Sequence, residues 1–259
     1  MRATDLSAQI DTHLDELIES TDQARTSAEM TKYLDFCAKF HHYSPSNIWL
    51  ILLQYPTATF IAGFAAWKKM GRFVRKGEKA IKIIAPILYR ENLDEKEPNQ
   101  ILRGFRIANV FDVSQTDGNP LPQTPNWKSP QKNAELHKRL LGFAKGKGIQ
   151  IHIKDLEGEA QGLSKGGCIV LSPKAGIKTF FHEIAHELLH QQRECHITKN
   201  QMELEAEAIA FVVSRHFGIE DLNSSNYLIL NGTSKEMFID HMTRIKTTSA
   251  EIINALEIK

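Results

Sequence analysis

His182-Glu183-Ile184-Ala185-His186 is the stretch of this chain whose residue types and spacing carry recognisable chemistry. On a helix, residues four apart share a face, so His182 and His186 can aim two imidazoles at one metal ion. Glu183 follows the first histidine, which sets a carboxylate beside that ion, within reach of a proton on a bound water. The flanks favour a helix: no proline or glycine interrupts Ile177 to Cys195, and Phe181, Ile184, Ala185 and Leu188 recur at helical spacing. The five-residue pattern also arises by chance on surface helices, so its surroundings decide. A catalytic zinc takes three protein ligands and leaves one position open. The second helical run, residues 201–213, carries Glu203 and Glu207 four apart. Glu203 is expected as the third ligand, and Glu207, one turn on, as acceptor for the free N–H of a ligating histidine. Glu205 points roughly 160° away from Glu207 at about 100° per residue and belongs to another face. His190 lies one turn beyond His186 but lacks the glycine turn that would fold a third histidine back, so it reads as a supporting or packing group. Zn2+ is the expected cofactor, since two imidazoles and a carboxylate suit it best.

The elements that must position these residues sit in a chain of 259 residues, enough for two modest domains. An apolar content of 42% and a charged content of 24% are ordinary for a globular protein. No apolar run reaches membrane-spanning length, and the first residues lack a signal-peptide core, so a cytoplasmic protein with no membrane partner is expected. The three cysteines, Cys37, Cys168 and Cys195, are far apart and read as reduced thiols.

In chain order, residues 1–40 read as two helices, and a third, apolar nearly all round, opens at Ser44-Pro45 and stops before Pro56. Phe73-Val74 and residues 80–85 read as short strands about a turn at Lys76-Gly77. A second pair is expected at 86–90 and 103–113. Four prolines between residues 114 and 130 mark a linker. The second domain then opens with a helix ended by Gly148, a strand at 149–153, and a hairpin turning at Lys165-Gly166-Gly167. An edge strand beside the two-histidine helix is where an extended peptide could pair its backbone. Asn200 is a candidate cap for the glutamate helix, and a helix from Ser234 to Leu256 closes the chain. The expected fold is α+β in two domains: 1–115, helices with a small antiparallel sheet; 116–130, a Pro-rich linker; 131–259, the two-histidine domain.

Residues 41–90 hold eight basic residues against one acidic, a local +7 in a chain of overall +1. Aromatic residues are interleaved with them. Two readings fit: cations tracking phosphates with rings stacking on bases, as in single-strand binders, or core rings under a solvated lysine face. On the first, Tyr43 and Trp67 are the stacking candidates, with Asn47, Lys68, Arg72, Arg75, Lys76 and Lys79 as further DNA contacts. Trp49 reads as core, and His41-His42 as surface.

The C-terminal half resembles zincin metallopeptidases of the glutamate-ligand type, in particular the ImmA/IrrE kind, through Glu203-Leu-Glu-Ala206-Glu207 after the two-histidine helix. The N-terminal half resembles ArdC-type antirestriction proteins through Tyr43-Ser44-x-x-Asn47, Gln54-x-Pro56-x-Ala58-Thr59, Gly63-Phe64-x-x-Trp67, Gly71-Arg72-x-Val74-x-Lys76-Gly77-Glu78-Lys79 and the run from Val110 to Thr116. The resemblance implies a single-stranded-DNA-binding first domain, a zincin-like metallopeptidase second domain, and a mobile-element setting. The expected function is that of a DNA-binding zinc metalloendopeptidase acting in antirestriction or in protecting incoming DNA. Its protein substrate would be a restriction enzyme or a repressor. Two alternatives stand beside it: a non-enzymatic, DNA-occluding protein with a structural zinc, and a regulatory protease that cleaves a repressor.

Overall fold

The computed structural model describes residues 2–20, 22–90, 100–121, 130–191, 197–219 and 234–257. Helices and small, mainly antiparallel sheets make it α+β. By contacts the chain divides into two units, residues 1–16 with 46–123, and residues 17–45 with 124–259. That division differs from a cut at residue 115, because α2 (Gln23–Lys39) packs against α7 (Lys199–His216) of the second unit. Among the described residues no helix is long and apolar enough to cross a membrane.

In the first unit, α1 (Ala3–Glu19) buries Leu6, Ile10 and Leu14, and α3 (Pro45–Gln54) buries its central run from Asn47 to Leu52, Trp49 included, while Leu53 is exposed. The sheet order is β1 (Ile61–Gly63), β4 (Gln100–Asp112), β3 (Ile81–Arg90), antiparallel throughout. β3 and β4 form one long hairpin in place of the two short pairs expected. Pro86 does not break β3, because β3 lies at the sheet edge and a missing donor is tolerated there. β2 (Arg72–Val74) follows α4 (Phe64–Lys69) and pairs with β5 (Thr116–Gly118), not with residues 80–85. β5 therefore occupies part of the stretch read as linker; that linker's residues 122–129 lie outside the described ones.

Asp112 ties this unit together. Its buried carboxylate accepts the N–H groups of Thr59 (2.8 Å) and Phe60 (3.0 Å), and both the N–H (3.0 Å) and the hydroxyl (2.7 Å) of Ser114. Gln115 completes a capping box on the backbone N–H of Asp112 (2.9 Å) and reaches on to the carbonyl of Lys79 (2.8 Å). Burial pushes the Asp112 carboxyl up, but the bonds from Ser114, Thr59 and Phe60 outweigh it and hold it below the usual range. Its contribution to stability is therefore full above the unfolded value of 3.8 and lost as pH falls through the lowered folded one. Asp112→Ala is expected to destabilise this unit by about 3 kcal/mol, read as an earlier urea transition at pH 7, with the gap to wild type closing in acid.

In the second unit, α5 (Pro130–Gly146) leads into a three-stranded sheet of order β6 (Gln150–Ile153), β8 (Cys168–Leu171), β7 (Gly162–Ser164). β6 runs parallel to β8, while β7 is its antiparallel hairpin partner and an edge. α6 (Ile177–Leu189), α7 and α8 (Lys235–Leu256) pack against one another. The cap of α7 is Thr198, not Asn200. Its side chain and that of Gln201 form a reciprocal capping box, so the helix starts a residue before Asn200. Cys37 and Cys168 are free thiols; Cys195, His196 and Tyr227 lie outside the described residues.

Candidate metal centre

α6 has the periodicity of an amphipathic helix, and its apolar face, Phe180, Phe181, Ile184 and Ala185, is buried. That burial fixes the rotation of the helix, and with it the direction of the remaining face. His182 and His186 leave α6 on one side with their Nε2 atoms 3.0 Å apart. From α7, Glu203 brings Oε2 to 3.3 Å from His182 Nε2 and 3.4 Å from His186 Nε2. Three lone-pair-bearing atoms thus crowd one point, as donors do around a single cation. Burial and the neighbouring His182 push His186 down to about 4, which leaves its ring neutral and its lone pair available at pH 7. Burial also opposes charge on His182, but the hydrogen bond it donates to Glu207 and the charges of Glu183 and Glu203 outweigh it and raise that ring. A divalent cation between these groups would relieve their mutual crowding, so the residues present fit one.

The surroundings reach each histidine from behind. Glu207 Oε2 lies 3.5 Å from His182 Nδ1, the nitrogen away from the convergence point, and the other oxygen of Glu207 accepts from Lys178. His186 Nδ1 lies 3.2 Å from His190 Nδ1, and His190 Nε2 lies 2.8 Å from Glu205 Oε2. Glu205 is completely buried and also meets His241 Nδ1 at 2.7 Å and the Arg244 guanidinium at 3.1 and 3.3 Å. Burial alone would raise its carboxyl, but the bonds from His190 and His241 and the charge of Arg244 hold it down at about 2. A chain of contacts therefore runs from His186 through His190 to a buried, charged anchor.

Glu183 points to the other side of α6, toward β7. It is buried, and burial with the nearby Glu203 raises its carboxyl against the pull of His182. A Cβ at Gly162 would stand 2.5 Å from Glu183 Oε1, so only glycine leaves room for that carboxylate under the edge strand. The strand is held by Glu187. Its buried carboxylate accepts the Ser164 hydroxyl (2.6 Å) and the backbone N–H groups of Lys165 (3.1 Å), Gly166 (2.9 Å) and Gly167. Gly166 and Gly167 take positive φ, 72° and 86°, and so turn successive amides toward one anion. Sequence reasoning missed Gly162, Glu187 and the anchoring role of Glu205. Two signals were present: the Gly-Gly turn, which can form an anion nest, and a glutamate four residues after Glu183.

The DNA-contact candidates separate sharply. Trp67 is fully buried and donates from Nε1 to the Phe111 carbonyl (3.0 Å), so its ring cannot receive a base. Asn47 is buried and bonds both backbone groups of Ile84 at 2.8 Å. Arg72 spends its guanidinium on Thr116, Gly118 and Asn119, and Arg75 on Glu78, Asp117 and the Ser114 carbonyl. Tyr43 is half-buried against Phe40 and groups with the second unit. Lys68, Lys76 and Lys79 remain exposed. Among the rings that do face solvent are Phe60, Phe64 and Phe73, together with Tyr89 and Phe105 of the long hairpin; Phe64 and Phe73 are each 60% exposed. Sequence alone could not sort these, because an aromatic residue in a basic run serves a core or a surface equally well.

Residues 3–116 match the family model described as the N-terminal domain of anti-restriction factor ArdC. An uncharacterized protein of Bacillus anthracis is 26% identical over 94% of this chain, which spans about half the length of that curated relative. The antirestriction ArdC protein from R388 plasmid is 18% identical, with 83% of this chain and 84% of that one aligned. Its metal-free and Mn(II)-bound crystal structures give TM-scores of 0.48 and 0.46.

Proposed function

We propose, from the match of residues 3–116 to the N-terminal domain of anti-restriction factor ArdC, that this is an antirestriction protein of a mobile element that binds single-stranded DNA and carries a zincin-like, metal-dependent peptidase centre of ImmA/IrrE kind. The observation that carries the second half is the convergence of His182, His186 and Glu203 at one point, with Glu183 beside it. Those three residues would hold Zn2+, and Glu207 and His190 would orient the imidazoles. A bound zinc supplies Lewis-acid polarisation of a carbonyl and a water of lowered pKa. Glu183 takes the proton of the attacking water on its carboxylate and returns it to the leaving amide nitrogen. Its burial favours that exchange by bringing its proton affinity closer to that of its partners. β7, an edge strand held over Glu183, offers its open side to an extended peptide.

DNA binding rests on the exposed phenylalanines among free lysines. Phe64 and Lys68 lie four apart on α4 and share a face. Phe64→Ala and Phe73→Ala are each expected to weaken binding of an oligo-dT strand by roughly 5- to 100-fold, measured by fluorescence anisotropy, since a stacked ring contributes about 1–3 kcal/mol. Unchanged affinity in both would remove this surface.

The whole reading is tested in a restriction-proficient host receiving unmodified DNA. Wild-type protein should protect it, and the doubly substituted Phe64→Ala, Phe73→Ala protein should not. The exposed basic and aromatic surface also favours a second reading, in which occupancy of DNA suffices. Protection undiminished by Glu183→Gln would select that one.

A further inference from the structure

The described residues contain one other group of three histidine and carboxylate donors whose ligand atoms all lie within 4.8 Å of one another: His41, His42 and Glu257. All three belong to the second unit. We propose that this is a second divalent-metal site, selective for Zn2+-like ions, which clamps the C-terminal ends of α2, α7 and α8.

His41-His42 reads from sequence as a surface pair, yet His41 is only 4% exposed. Neither of its ring nitrogens meets strict hydrogen-bond geometry with a described partner, and a nearby acceptor, the Ala38 carbonyl, is already taken by His216. A buried imidazole so poorly satisfied is rare in folded proteins and calls for an occupant. Its ring lies 3.8 Å from that of His42, centroid to centroid, and meets the ring of His216 edge-on at 4.9 Å, so three imidazoles crowd together. Burial and the neighbouring His42 and His216 push His41 down to about 4, so its nitrogen keeps a lone pair at neutral pH.

The backbone is arranged for a cation. His41 and His42 occupy the turn that follows α2, closed by a bond from the Tyr43 N–H to the Phe40 carbonyl (2.8 Å). His216 is the last residue of α7, and Glu257 is the C-cap of α8. Three helices thus end at one place, and helix C-termini carry partial negative charge. His216 donates from Nδ1 to the Ala38 carbonyl (2.8 Å), and its Nε2 lies 3.0 Å from Glu257 Oε1. The ring of His216 thus packs against the carboxylate that completes the donor set. Lys246 borders the cluster as a positive charge. Two nitrogens and one oxygen suit Zn2+ or Co2+ better than Mg2+ or Ca2+.

The test uses the full chain with His182→Ala and His186→Ala, which removes the first centre. After equilibration with Zn2+ and gel filtration, this protein should retain one zinc per chain by elemental analysis. With Co2+ it should show visible d–d absorption. Adding His42→Ala and Glu257→Gln should abolish both signals. His42 is exposed and Glu257 is only partly covered, so these changes leave the packed core intact. Zinc should also raise the melting temperature of the first variant and not of the second. No retained metal in the first variant, or metal undiminished in the second, would overturn the proposal. Because the first centre is absent throughout, its own failure to bind zinc would leave this result unaffected.

Discussion

Glu205→Ala is expected to destabilise the second unit by about 3–5 kcal/mol, since it strips a buried carboxylate from partners that remain buried and charged or polar. Arg244 would lose its counter-charge, and His190 and His241 would lose their acceptors. Glu205→Gln keeps the shape and one acceptor, so a smaller loss is expected. Chemical denaturation at pH 7 measures both. A loss under about 1 kcal/mol for the alanine variant would mean that the network holds nothing together. The pH dependence carries a sign that can be checked independently. The folded carboxyl sits at about 2 against 4.5 for a free one, so its stabilisation is full above 4.5 and is lost as pH falls toward 2. The wild-type advantage over Glu205→Gln should therefore shrink in that window. His186 should feel the loss as well, through His190, and bind zinc about 10- to 100-fold more weakly.

The second large effect belongs to Glu183. Glu183→Gln keeps the length and burial of the side chain but removes the proton acceptor. On a bona fide peptide substrate, cleavage by the zinc-loaded protein is expected to fall by about 10²–10⁴-fold. Zinc affinity should stay near wild type, because Glu183 is not among the converging donors. Full activity with zinc bound would exclude Glu183 as the base. Isothermal titration with zinc and a progress curve on the same preparation separate the two outcomes.

The α+β class and the two-histidine face were legible because helical spacing is a local property, written in residues three and four apart. The placement of Glu203 beside the two histidines was legible for the same reason, since it shares a helix face with Glu207. Other features were not. Glu187 and Glu205 sit in helices rich in glutamate, where a carboxylate ordinarily marks a solvated face; what buries them is a turn or helix well away in sequence. The pairing of β2 with β5 joins Arg72 to Gly118, a separation no local pattern encodes. Trp67 misled because its neighbours are basic, whereas its own ring lies under β4 and donates to Phe111. Asp112 and Gln115 belong to a motif that resembles the antirestriction family, and their bonds are architectural. Part of that motif is thus spelled by folding and not by contact with DNA.

The grip of Glu187 on the turn from Ser164 to Gly167 has a mechanical meaning. One carboxylate, carried by the helix that bears the two histidines, grips the end of the strand that covers Glu183, so helix and strand are pinned together at that point. An added residue in that turn would slip β7 by one position and exchange its two faces. Gly162 would then leave the carboxylate, and a side chain would arrive where none fits.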